Sequence, residues 1–130
     1  MNITFIGVGY VGLVSGTMLA WLGAKVTCRD MNDEKIYYLQ QGKLPLYEPK
    51  LDKYITSVIQ SGHLRFALLY ADRCQGSYAA SLTKKIAVEA HPTHVENADV
   101  VFITVGTPSL ESGEADLSYL YDAVLQTARK

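Results

Sequence analysis

The stretch IGVGYVG, residues 6–12, decides the fold of this chain. Its glycines, Gly7, Gly9 and Gly12, lie between a β-rich run that begins at Ile3 and a helical pattern. In a dinucleotide-binding turn the first glycine lets the chain reverse tightly, because its backbone angles are closed to other residues. The second leaves the backbone bare where a diphosphate approaches, and the third lets helix and strand pack closely. The pattern alone is weak, since glycine-rich matches occur often by chance.

An acidic residue at the end of the next strand strengthens this interpretation. Asp30 ends the strand-like run KVTCRD, residues 25–30, and stands 18 positions after Gly12. A carboxylate about 20 residues beyond the turn accepts hydrogen bonds from the adenosine ribose. The same charge would repel the 2′-phosphate of NADP, so we expect NAD rather than NADP. We also expect NAD rather than FAD. Arg29 points to the opposite face of the strand, and we interpret it as structural.

The remaining pattern alternates strands with helices and predicts a parallel sheet with right-handed crossovers. The fold class is α/β, a Rossmann-like doubly wound parallel sheet in three layers, and we expect a truncated one because the chain ends on a helix. The run at 99–105 is apolar throughout and predicts a strand covered on both faces. The pattern gives strands at 3–6, 25–30, 63–66 and 99–105, and helices at 10–22, 33–41, 51–60, 77–90 and 116–128.

Composition narrows the classes of function. A formal charge of −1 and scattered basic residues give no electrostatic footprint for nucleic acid or for an anionic membrane. No apolar stretch reaches the roughly 20 residues of a membrane span. The two cysteines, Cys28 and Cys74, have no metal-ligand spacing, so we expect no metal site and a reducing compartment. With no secretory signal at Met1, these observations predict a cytoplasmic single domain.

Four pieces of the sequence together resemble a known family. They are IGVGYVGLVSG at the start, LPLYEPKL at 44–51, SGHLRF at 61–66, and DVVFITVGTP at 99–108 followed by GEADLSYL. In this order they resemble the N-terminal NAD-binding domain of the UDP-glucose/GDP-mannose dehydrogenase family, and within it the UDP-glucose 6-dehydrogenases. The resemblance covers about residues 1–66 and 97–130.

The resemblance implies a set of NAD-binding residues. The glycine turn would contact the diphosphate, Asp30 would hold the ribose, and Lys35 would reach the adenosine side of the cofactor. A threonine after the fourth strand would also contact NAD. The marker Tyr47-Glu48-Pro49 receives no catalytic role, and we expect it to fold as a loop plug. The full set is Gly7, Gly9, Tyr10, Val11, Gly12, Asp30, Lys35 and Thr107.

The resemblance also implies a reaction for the parent protein. The family oxidises the primary alcohol of a sugar nucleotide to a carboxylate in two hydride transfers to NAD, through a covalent intermediate on a cysteine. That cysteine and its supporting residues lie downstream of this chain, so we assign no catalytic residue and expect the chain alone to be inactive. UDP-glucose, giving UDP-glucuronate for polysaccharide biosynthesis, is the expected substrate of the parent, which we expect to be a homodimer.

Two alternatives stay open at this point. The parent could act on UDP-N-acetylmannosamine or GDP-mannose, or the chain could be a stand-alone NAD-binding module without chemistry. One departure concerns domain organisation: within the domain 1–130, residues 67–96 are longer than the family's usual connection and are interpreted as insertion-like. Cys74 lies in that segment and is interpreted as incidental, and Cys28 as a packing residue in its strand.

Overall fold

Four parallel strands form one sheet in the spatial order β3-β2-β1-β4, and helices pack against it. The structure, a computed structural model, describes residues 1–45, 47–69, 95 and 97–128. The chain therefore starts at β1, moves outward through β2 to β3, and returns to the other side of β1 for β4. This is the order of a Rossmann-like doubly wound sheet, so the predicted fold class is confirmed.

The elements follow the predicted order along the chain. The strands are β1 (Asn2–Ile6), β2 (Lys25–Asp30), β3 (Leu64–Leu68) and β4 (Val100–Ile103). The helices are α1 (Tyr10–Trp21), α2 (Asp33–Gln40), α3 (Leu51–Gln60) and α4 (Ser118–Ala128).

Several helix and strand ends differ from the prediction by one or two residues. Asp116, predicted to cap the last helix, lies two residues before α4, and its Oδ1 accepts from the Ser118 N–H at 2.9 Å. Burial and pairing extend β3 beyond its predicted end, because Ala67 pairs with Arg29 of β2 and is buried. The first two residues of the segment 67–96 thus belong to β3, and the interpretation of that segment as insertion-like stays a prediction. The predicted helix at 77–90 lies outside the described residues.

Helix α1 approaches the sheet through its small residues. Gly12, Gly16 and Ala20 recur every four residues and are buried. A Cβ atom built on Gly16 would lie 2.7 Å from the Sγ atom of Cys28 in β2, so the helix touches the strand there. Other apolar residues of this segment differ in burial: Val14 is partly buried against the core, whereas Val11 is 61% exposed and Leu22, directly after the helix, is 78% exposed. The close contact fixes the helix over β1 and β2.

The core lies on the face of the sheet that α1 and α3 cover. It is built from alternate residues of the three strands β1, β2 and β3 and from the buried sides of the helices. The prediction that the fourth strand is covered on both faces is wrong. Val100 is 37% exposed and Phe102 is 42% exposed, although the Phe102 ring stacks on Phe5 at 4.9 Å. β4 is the edge strand of the described sheet, so only one neighbour shields it.

None of the helices in the described part of the chain is long and apolar enough to cross a membrane.

Candidate functional site

The predicted site residues follow strand ends at a single edge of the sheet. Parallel strands all end at the same edge, and β1 has β2 on one side and β4 on the other. The glycine turn follows β1, Asp30 ends β2, and Thr107 follows β4. Ligands of open α/β sheets bind at the carboxyl ends of the strands, at the point where the strand order reverses. The topology therefore brings these separate pieces to the crevice where a ligand would lie.

Each glycine of the turn meets a different steric requirement. Gly7 has a φ of +97°, and a Cβ atom there would lie 2.7 Å from the backbone of Thr104. A Cβ atom on Gly12 would collide with the Gly7 carbonyl oxygen, so the start of α1 packs directly on the turn. A Cβ atom on Gly9 would meet nothing within 4 Å. Only the middle glycine therefore borders open space.

The N-terminus of α1 is open toward that same space. Gly9 is its N-cap residue and provides no side chain to cap the helix. The first N–H groups of a helix have no partner within it and, with the helix dipole, attract anions. By contrast, α2 is capped by Asn32, whose side-chain oxygen accepts from the Lys35 N–H at 2.9 Å. The bare turn and the uncapped helix therefore fit the diphosphate of a dinucleotide.

Asp30 is part of the structure of the turn and not a solvated strand end. Only 8% of the residue is exposed. Its Oδ2 accepts from the Val8 N–H at 2.7 Å, and its Oδ1 accepts from the Asn32 N–H at 3.0 Å. The carboxylate therefore joins the glycine turn to the end of β2.

Lys35 completes a charged pair beside the turn. Its Nζ atom lies 3.2 Å from Asp30 Oδ2, and its side chain is 28% exposed. The pair places a cation beside the carboxylate at the end of β2, and the contact of Lys35 with NAD stays a prediction.

The remaining predicted residues are exposed around the crevice. Tyr10 is 58% exposed and Val11 is 61% exposed, both in the first turn of α1. Thr107 is exposed in the segment after β4. These side chains are thus accessible to a ligand at this edge.

Three contacts at this edge were missed by the sequence analysis. The Thr104 hydroxyl donates to the Gly7 carbonyl oxygen at 2.7 Å and so supports the turn from β4. The signal for Thr104 was its hydroxyl in the run VVFITV, residues 100–105, whose other residues are apolar. Val8 donates its N–H to Asp30, and Tyr10 Oη donates to Glu48 Oε2 at 3.1 Å. No local pattern connects these last pairs, because 22 and 38 positions separate them.

The structure also bears on the interpretation of two polar residues in β2. Burial of Cys28 raises the pKa of its thiol to about 12, which fits a packing residue rather than a nucleophile. Arg29 is buried, and its burial lowers the pKa of its guanidinium. Cys74 lies outside the described residues. Among the described residues, no group of three or more His, Cys, Asp or Glu side chains could hold a metal ion.

A separate cavity of about 440 Å³ lies at the opposite edge, at the amino ends of the strands. Lys25, His63 and Arg65 are among the residues that line it, and none of the predicted site residues does. It is therefore distinct from the crevice at the glycine turn.

The expected loop plug is not formed by the side chain of Tyr47, which is 91% exposed. The neighbouring Glu48 instead contacts the start of α1 through Tyr10.

Comparison with known proteins agrees with this geometry. The model of the UDP-glucose/GDP-mannose dehydrogenase family, NAD binding domain, matches residues 1–88 and 75–130. A UDP-glucose 6-dehydrogenase of Rickettsia bellii is 47% identical over 124 residues, which are 95% of this chain and 24% of that protein.

Two solved structures have the same fold. A GDP-mannose dehydrogenase of Pseudomonas aeruginosa, solved as a ternary complex, superposes with a TM-score of 0.77 at 30% identity, over 98% of this chain and 24% of that one. A UDP-D-ManNAc dehydrogenase of Pyrococcus horikoshii gives a TM-score of 0.77 at 26% identity, over 98% of this chain and 25% of that one. The chain thus spans about a quarter of the length of these proteins. It belongs to the UDP-glucose/GDP-mannose dehydrogenase family, as its NAD-binding domain.

Proposed function

We propose that this chain binds NAD in the crevice at the carboxyl edge of the sheet. The observation that carries the proposal is the open space at Gly9 beside an uncapped helix N-terminus. A dianionic diphosphate needs both features: room against the backbone, and N–H groups directed at it. Gly7 and Gly12 serve the same purpose indirectly, because they let the turn and α1 pack closely enough to form that space.

The adenosine ribose is assigned to Asp30. Its Oδ2 already has two partners, the Val8 N–H and the Lys35 ammonium, whereas Oδ1 has the Asn32 N–H. A carboxylate oxygen has two acceptor positions, so Oδ1 can accept one more hydrogen bond, from a ribose hydroxyl. Lys35 lies beside the same carboxylate and would contact the adenosine side of NAD.

The exposed side chains border the two ends of the cofactor. Tyr10 and Val11 lie over the first turn of α1, and we assign them to the diphosphate. Thr107 follows β4, across the strand reversal from Asp30, and we assign it to the end of NAD that reacts. When bound, the nicotinamide ring of NAD accepts a hydride; the residues assigned here bind and orient the cofactor.

We further propose that residues 1–130 are the N-terminal domain of a longer cytoplasmic UDP-glucose 6-dehydrogenase, which converts UDP-glucose to UDP-glucuronate and assembles as a homodimer. The 47% identity to the Rickettsia bellii enzyme favours UDP-glucose over GDP-mannose or UDP-N-acetylmannosamine. No catalytic residue is assigned within this chain. Sequencing the coding region beyond Lys130 tests this part: a downstream cysteine segment supports the enzyme, and an immediate stop supports a stand-alone NAD-binding module.

Calorimetric titration of the chain with NAD, NADP and UDP-glucose side by side tests the binding proposal. We expect binding of NAD, weaker binding of NADP because of the Asp30 carboxylate, and no NADH formation when UDP-glucose is added with NAD. No heat and no thermal stabilisation at millimolar NAD would contradict the proposed function. Robust UDP-glucose-dependent turnover would contradict the assignment of catalysis to downstream segments.

A further inference from the structure

Glu48, of the Tyr47-Glu48-Pro49 motif, joins two elements that are distant in sequence. Its Oε2 accepts from Tyr10 Oη at 3.1 Å, at the start of α1. Its backbone oxygen accepts from the Leu51 N–H at 2.9 Å, at the start of α3. The residue is therefore fixed by the beginning of one helix while its carboxylate holds the beginning of another. The proposed function leaves this motif without a role.

The held residue lies next to the open part of the glycine turn. Tyr10 is the first residue of α1 and follows Gly9 directly. An exposed tyrosine at a helix start can adopt several rotamers, and ordering it on ligand binding costs free energy. A fixed partner for the hydroxyl removes part of that cost in advance.

The Glu48–Tyr10 contact can help an anion site through its hydrogen bond but not through its charge. The Tyr10 phenol is protonated near neutral pH and can donate, and the Glu48 carboxylate raises its pKa further, first through the hydrogen bond and then through its charge. A carboxylate close to the start of α1 weakens the attraction of that helix end for an anion. Its contribution to an anion site is therefore positional, and a neutral acceptor would serve as well.

We propose that Glu48 is a positioning residue of the cofactor site. By holding Tyr10 Oη, it fixes the Tyr10 ring as a side wall of the diphosphate cradle before NAD arrives. It also ties the loop between α2 and α3 to that cradle. This inference rests on the proposed function, since it needs NAD to bind at the glycine turn.

A double-mutant cycle on NAD affinity tests the inference, with calorimetry on the 130-residue chain. Glu48→Ala and Tyr10→Phe each remove one side of the contact, and we expect each to weaken NAD binding about fivefold, as for one exposed charge-assisted hydrogen bond. The double variant should bind no more weakly than either single variant, because both changes remove the same interaction.

Two further variants separate position from charge. In Glu48→Gln the amide oxygen still accepts from Tyr10, and the negative charge is gone. We expect this variant to bind NAD at least as tightly as the unmutated chain. Glu111→Ala removes an exposed carboxylate elsewhere on the chain and should leave affinity unchanged, which controls for net charge. Thermal unfolding of each variant verifies that the compared proteins are folded.

The outcomes distinguish the inference from the function on which it rests. The positioning role is overturned, and the proposed function stands, in two cases in which the unmutated 130-residue chain binds NAD. In the first, the losses of affinity in the two single variants add in the double variant. In the second, Glu48→Gln binds NAD as weakly as Glu48→Ala does. If the parent chain does not bind NAD, the proposed function fails and the inference fails with it.

Discussion

Replacing Gly9 by alanine should separate NAD binding from folding. Gly9 has a φ of −82°, which any L-residue adopts, and the new methyl group would meet nothing within 4 Å. Alanine is a poorer N-cap than glycine, which costs about 0.5–1 kcal/mol. It also restricts the unfolded chain, which stabilises by about 0.4–1 kcal/mol. The two effects nearly cancel, so the free energy of unfolding should change by less than about 1 kcal/mol.

The effect on binding should be much larger. The methyl group would occupy the space through which the diphosphate approaches the backbone. Loss of one charge-assisted hydrogen bond from an N–H group to a phosphate costs about 1.5–3 kcal/mol. We therefore expect the dissociation constant for NAD to rise about tenfold to a hundredfold.

Calorimetry gives the affinity and thermal unfolding gives the stability of the same samples. Gly23→Ala is the matched control, because Gly23 has a φ of +101° after the end of α1, far along the helix from the turn. That variant should lose at least about 1 kcal/mol of stability and keep its NAD affinity. The reasoning is refuted if Gly9→Ala unfolds like the parent and binds NAD within about twofold of it.

Other predictions concern the supports of the site. Gly16→Ala should destabilise the fold by up to about 2 kcal/mol in urea unfolding, because overpacking against Cys28 costs about 1–3 kcal/mol and helix propensity returns only about 1 kcal/mol. Adding Cys28→Ala should restore stability, and no recovery would contradict the contact. In the folded chain at pH 8 at most one of its two thiols should react with Ellman's reagent, because burial raises the pKa of Cys28 to about 12, and both should react in urea; two reactive thiols before unfolding would refute this. The same raised pKa makes the contribution of Cys28 to stability depend on pH. Between the thiol pKa of the unfolded chain, near 9, and that of the folded chain, about 12, only the unfolded thiol ionises. The contribution is therefore fully present below pH 9 and is lost as the pH rises toward 12. Asp30→Ala should weaken binding of NAD more than that of NADP, and equal losses would count against the ribose assignment. Thr104→Val should cost about 1 kcal/mol of stability, because it removes the hydrogen bond to the Gly7 carbonyl oxygen. An unchanged midpoint of urea unfolding would contradict this.

The elements were predictable because their signals are local. The periodicities of strands and helices, the cap at Asn32 and the glycines after the helices each depend on a few neighbouring residues. The acid at Asp30 was predictable because its spacing from the turn is set by one strand–helix–strand unit. These features sufficed for the fold class and for most of the proposed site.

What the sequence did not reveal depends on distant neighbours. Phe102 is exposed because β4 lies at the edge of the described sheet. An apolar run in the sequence does not indicate whether its strand is central or at the edge. Thr104 supports Gly7 across 97 positions, and Glu48 reaches Tyr10 across 38. Because α1 is apolar on several sides, the sequence did not show that Leu13 is buried while Leu22, directly after the helix, is exposed.

The central claim is that NAD lies with its diphosphate at the start of α1. Nitrogen-15 correlation spectra recorded during an NAD titration test it most directly, because each backbone N–H group reports its own surroundings. We predict the largest shifts at Gly9, Tyr10, Val11 and Gly12, with smaller shifts around Asp30 and Thr107, and none around the distant cavity at Lys25 and His63. Unchanged N–H signals in the glycine turn at saturating NAD would contradict the account.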